Sequence, residues 1–169
     1  LAGLVGAVQA AKTAANQPIV TFQDKLPAAA HPLIAAAGIP ATNLCDVHVG
    51  TVNLTNLLTA TGTFGTDAAG KPVSSAVTVD YMLLTPVARD ATGAALPCAT
   101  TPWAGDKIFV FAHGLGRCKN DALALADDYA KLGFATLTID GPKAGARLTG
   151  SLGDRDLDGC ADQPAPPEF

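Results

Sequence analysis

The tetrapeptide His113-Gly114-Leu115-Gly116 follows an unbroken apolar run, Ile108 to Ala112, so a buried strand delivers its end to a histidine and two glycines. Glycine lets the backbone take positive φ and lets a ligand approach it closely. A helix beginning just beyond adds the positive field of its first turn. Backbone N–H groups left free at the carboxyl end of such a strand can receive an anion or a developing oxyanion. Phosphate binding is the competing chemistry. No G-x-x-x-x-G-K-[ST] is present, and Gly114 to Lys119 carries lysine where the dinucleotide fingerprint requires its third glycine. The bland alternative is a tight turn that holds nothing.

A second cluster is acidic. Asp154, Asp156 and Asp158, with Gly159 after them and Asp162 beyond, match the opening of a calcium loop. Alternate carboxylates point inward there, and the glycine permits the sharp turn. Asp162 takes the ninth position, but Ala165 stands at the twelfth, where a full EF-hand has a bidentate Glu. The expectation is a structural calcium site; the alternative is a solvated acidic loop pinned by Cys160. A nucleophile is harder to find. The serines are Ser74, Ser75 and Ser151, and "TGSLG" around Ser151 differs from G-x-S-x-G by Thr149. That motif needs a buried strand before it and a helix after it. "GPKAGARL" and "GDRDLDG" supply neither, so Ser151 reads as a polar loop residue. His31 reads as exposed, His48 as pointing outward from a strand, Trp103 as a loop anchor, and Arg147 as a partner for an acid of the following loop.

The elements that must position these residues follow from periodicity. "CDVHVGTVNL" and "AVTVDYMLLTPVA" alternate and are rich in β-branched residues, which predicts two antiparallel strands joined through the turn chemistry of "GTDAAGKPVSS". Ile108 to Ala112, apolar throughout, predicts a strand in the middle of a parallel sheet. "NDALALADDYAKLG" predicts a helix capped by Asn120 or Asp121 and ended by Gly133, and "FATLTID" a second parallel strand, giving a right-handed strand-helix-strand unit. Residues 1–44 form an Ala/Pro-rich segment in which "LAGLVGAVQAAKTAA" is helical by propensity and "HPLIAAAGIP" is a short helix stopped by Gly38 and Pro40. Residues 148–169 read as an acidic excursion without apolar periodicity.

"IFVFAHGLG", a helix, then "GFATLTIDGPKAGAR" resembles the N-terminal half of an α/β-hydrolase, in the texture of secreted bacterial esterases and lipases. The resemblance covers about residues 45–147. It implies an α/β fold: an antiparallel start followed by parallel βαβ, a half-sheet completed by a second chain or fragment. It also implies that the Leu115 N–H faces the oxyanion, that Gly114 and Gly116 permit that geometry, and that His113 orients the loop by hydrogen bonding. The family's Ser–acid–His order cannot be met here, because no histidine follows His113. The resemblance therefore implies a C-terminal fragment of the same hydrolase as partner chain, carrying the triad, with the cut between the two falling in the exposed Pro-rich "ADQPAPPEF". The substrate would be a small ester or a lipid. The alternative function is a non-catalytic exported calcium-binding module for adhesion or assembly.

Composition narrows the classes. A chain of 169 residues suits one domain, and its apolar 49% is largely alanine, with only 5% aromatic, so the core is lean. A net charge of −4 without a basic patch excludes nucleic acid as a partner. No apolar run reaches the ~18 residues of a membrane span. The opening residues lack the basic start of a secretory leader. Cys45, Cys98, Cys118 and Cys160 contain no C-x-x-C pair, which disfavours zinc and predicts two disulfides in an exported protein; the resemblance implies that it is secreted, periplasmic or on the surface of a bacterial cell. Of three possible pairings, Cys45–Cys98 with Cys118–Cys160 would tie irregular segments to the strand-turn-helix core.

Overall fold

A computed structural model describes residues 20–57, 59, 63–114, 117–141 and 160. The order of elements is β1 (Val20–Pro27), a 3-10 turn (Ala28–Ala30), α1 (Pro32–Ala37), β2 (Leu44–Asn56), β3 (Ser75–Pro86), β4 (Ile108–Phe111), a second 3-10 turn (Lys119–Ala122), α2 (Leu123–Lys131) and β5 (Ala135–Ile139). The five strands form one sheet in the order β1-β2-β3-β5-β4. It is mixed and mostly antiparallel, with one parallel pair.

This corrects the expected fold. The chain does not form the anticipated N-terminal half of an α/β-hydrolase sheet. Parallel pairing is confined to β4 and β5, with Phe109 opposite Thr136 and Phe111 opposite Thr138. On its other side β5 runs antiparallel to β3, with Met82 opposite Thr138 and Leu84 opposite Thr136. β4 is an edge strand rather than a central one, and Ile108 and Val110 are 50% and 65% exposed. The reason lies in the information content of the run. When every residue is apolar, a period of two cannot separate a strand buried on both faces from an edge strand covered on one.

Register fixes which face is covered. Side chains alternate across a strand, so Leu84, Thr136 and Phe109 share one face with Met82, Thr138 and Phe111. Helix α2 supplies Leu123, Ala126 and Ala130, spaced at i, i+3 and i+7, to the core that holds Met82 and Leu84. Phe109 stacks on Tyr129 of α2 with ring centroids 3.8 Å apart. Ala28, Ile34, Leu44 and Val47 complete that core. Val110, Leu137 and Leu83 lie on the opposite face.

Helix ends follow the sequence in part. Pro32 occupies the first turn of α1, and Gly38, at φ 61°, ends it. Gly133, at φ 84°, closes the chain after α2, its N–H donating to the Ala130 carbonyl at 2.9 Å. Neither Asn120 nor Asp121 caps α2: Ala122 holds that position without a side-chain hydrogen bond. Asp127 of α2 instead accepts from the Asn43 N–H at 2.7 Å and from Asn43 Nδ2 at 2.9 Å, which fixes the chain as it enters β2. Both disulfides form in the pairing expected, Cys45–Cys98 and Cys118–Cys160, with Cα separations of 5.6 and 5.4 Å.

The chain divides into two compact units. One contains Thr51–Val79, where Asp67 Oδ1 accepts the N–H groups of Ala69 and Lys71 in a turn that Gly70 completes at φ 75°. The other contains Phe22–Gly50 and the chain from Asp80 onward, including the core around α2. The predicted helix at residues 1–15 lies outside the described residues. Among the described residues no helix is long and apolar enough to cross a membrane.

Candidate functional site

The candidate site is built where β4 and β5 end side by side. Parallel pairing puts both carboxyl ends at the same edge of the sheet, so the chain leaving β4 as Ala112-His113-Gly114 meets the chain leaving β5 as Asp140-Gly141. His113 is half-buried there and bridges the two. Its Nε2 accepts the Gly141 N–H at 2.8 Å, and its Nδ1 lies 2.8 Å from the Gly114 carbonyl oxygen. An amide can only donate and a carbonyl can only accept. With these partners Nδ1 donates and Nε2 accepts.

Glycine gives room at one of these positions. A Cβ on Gly141 would stand 3.3 Å from His113 Nε2 and 3.4 Å from Cε1, crowding the ring it binds. Gly114 is different. It does not adopt positive φ, and a Cβ there would meet nothing within 4 Å. Its contribution is open space beside the backbone rather than a forced bend. The Gly114 carbonyl also accepts the Arg117 N–H at 3.3 Å, which closes a turn. Leu115 and Gly116, the two residues inside that turn, lie outside the described residues.

The far side of the turn is held as firmly. Cys118 is buried in its disulfide to Cys160. Lys119 follows, and its N–H and Nζ donate to Asp140 Oδ1 and Oδ2 at 2.8 and 2.9 Å. Asp140 is 1% exposed. Arg117 forms a two-point pair with Asp121, Nε to Oδ2 at 2.9 Å and Nη2 to Oδ1 at 2.6 Å. Sequence reasoning assigned no role to Lys119, Asp140 or Gly141. The available signal was an acid and a glycine placed directly after an apolar strand, where a buried carboxylate requires a partner.

The other candidates are scattered. Asp154, Asp156, Asp158, Asp162, Ser151 and Arg147 lie outside the described residues. Among the described residues no group of three or more His, Cys, Asp or Glu is arranged to hold a metal. Ser74 and Ser75 are exposed at the start of β3. His31, expected in the open, is half-buried beside α1; burial lowers its pKa, and its Nδ1 is buried without a hydrogen-bond partner. His48 is also half-buried, edge-on to Phe22 at 6.0 Å, and burial lowers its pKa while Asp46 opposes the shift. Trp103 is half-buried in its loop.

Geometrically, the site is a short turn at the ends of two parallel strands, pinned at both sides by β5. No protein-family model, curated protein or solved structure matches this chain.

Proposed function

We propose that the chain supplies the oxyanion-binding turn of a serine-type carboxylic-ester hydrolase, an esterase or lipase. The serine, acid and base would come from a further polypeptide segment of the same enzyme. The observation that carries this reading is the His113 bridge. A trans peptide carries its N–H on the side opposite its C=O. His113 Nδ1 engages the Gly114 oxygen, so on this reading the amide on the other side of that peptide, the Leu115 N–H, is the one offered to the oxyanion.

Hydrolysis would proceed through an acyl-enzyme. The serine oxygen adds to the ester carbonyl as the base takes its proton, and the carbonyl π pair moves onto oxygen. The Leu115 N–H stabilises that oxyanion, and collapse expels the alcohol, which receives the proton. Water then repeats the addition and releases the acid. His113 holds the turn and is not the base, since both its nitrogens are engaged by backbone.

The two disulfides fit an oxidising compartment, and export from a bacterial cell belongs to this reading. So does a structural calcium ion on Asp154, Asp156, Asp158 and Asp162. Calorimetric titration with calcium and EDTA tests it: absence of both heat and thermal shift removes the ion from the proposal.

Replacement of Leu115 by proline deletes the N–H and also fixes φ and restricts Gly114, so Leu115→Ala controls for the loss of the leucine side chain. In the complete hydrolase, Leu115→Pro should lower kcat by about 10²–10³ with KM nearly unchanged, as for loss of one oxyanion donor. Leu115→Ala should retain activity. Full kcat in the proline variant would overturn the assignment.

A further inference from the structure

The turn between β4 and the 3-10 segment is anchored twice, and both anchors are consecutive residues at the end of β5. On the amino side, the Gly141 N–H holds His113 Nε2 at 2.8 Å. On the carboxyl side, Asp140 holds Lys119 through both the backbone N–H, at 2.8 Å, and the ammonium, at 2.9 Å. Thr138, two residues back and on the same face of β5, adds a third grip, its Oγ1 donating to the Lys119 carbonyl at 3.3 Å. The Asp140 side chain is 1% exposed and that of Lys119 19%, so the ion pair works with little solvent screening. Any shift of Asp140 moves both anchors together, because Gly141 is its immediate neighbour.

We propose that Asp140, held against Lys119, is a positioning residue that fixes His113 and Lys119, the two described residues flanking the Gly114–Arg117 turn. It touches no reacting atom. It acts by fixing Lys119 directly and by presenting the Gly141 amide to His113, and so fixes the ring that engages the Gly114 carbonyl. A site meant to bind transient charge needs such support, since small displacements of its donors forfeit most of their effect. This inference rests on the hydrolase reading for its purpose, but not for its geometry.

The test uses the 169-residue chain, labelled with nitrogen-15, without substrate. Asp140→Ala should speed exchange of the Gly141 amide by about tenfold or more, the scale of losing a charge-assisted hydrogen bond. Exchange across the β3–β5 ladder should stay within about twofold, because the opening is local. The His113 ring should lose its single Nδ1–H tautomer in long-range proton–nitrogen spectra. Asp140→Asn, which keeps an acceptor for the Lys119 N–H, should recover part of the protection. If Asp140→Ala does not fold, Lys119→Met is read by the same criteria. Wild-type exchange at Gly141 with an unchanged ring, a loss spread evenly over the ladder, or no recovery in the Asn variant would overturn the positioning role. Because none of these readouts involves catalysis, they fail or succeed independently of ester hydrolysis.

Discussion

Replacing Val110 by alanine should barely destabilise the isolated chain, although Val110 lies in the most apolar run around the candidate site. The run Ile108–Phe111 is β4, at the sheet edge, and Val110 is 65% exposed. Full burial of a valine side chain is worth about 1.5–3 kcal/mol. With roughly a third of it covered, the loss in Val110→Ala comes to about 0.5–1 kcal/mol at most. Leu84 is the counterpart. It is 0% exposed, on the face covered by α2, and Leu84→Ala should remove about 2–5 kcal/mol. Urea unfolding followed by far-ultraviolet circular dichroism measures both, with the slope m unchanged if only stability moves. A loss above about 2 kcal/mol for Val110→Ala, the range of a core deletion, would refute the edge placement of β4. Val110→Lys should likewise fold and improve solubility. β4 carries none of the charged or proline residues that guard edges, whereas β1, at the opposite edge, carries Asp24, Lys25 and Pro27.

Gly141→Ala should displace the His113 ring while shifting global stability by less than about 1 kcal/mol, since one lost hydrogen bond is offset by reduced chain entropy. An unchanged tautomer in that variant would contradict the contact distance. Removing Cys118–Cys160, whose cysteines are 42 residues apart, should lower stability by about 4 kcal/mol in the chain-entropy description. A drop under about 1 kcal/mol in non-reducing urea unfolding would contradict its bracing role. Burial lowers the His31 and His48 pKa values below their ordinary 6.5, so the unfolded chain binds more protons on acidification. Their contribution is therefore complete above about pH 6.5 and is lost as pH falls through the lowered values, which His31→Gln and His48→Gln should flatten in a melting-temperature series.

The sequence was most legible where two signals agreed. In β2 and β3, alternation and β-branching point the same way, and the strands appear at Leu44–Asn56 and Ser75–Pro86. In α1, Pro32 and Gly38 bracket one short helix. β1 escaped notice because Val20-Thr21-Phe22 is embedded in Ala- and Pro-rich chain and its strand is exposed on nearly every residue, so no buried face left a pattern. β4 was recognised as a strand but misplaced, because uniform hydrophobicity carries no facing information. At the candidate site the tetrapeptide His113–Gly116 was visible. Its supports were not: Lys119 and Asp140 are 21 residues apart, and only the parallel pairing of β4 and β5 brings their segments together.

On the proposed reading, the serine that performs ester hydrolysis lies on another polypeptide segment. The most direct measurement is fluorophosphonate labelling of the protein purified from its natural source, read by intact mass. A covalent adduct on a co-purifying segment outside residues 1–169 is the predicted result. A lone 17.0 kDa species, folded and unlabelled, would contradict it and leave a non-catalytic exported module as the better description.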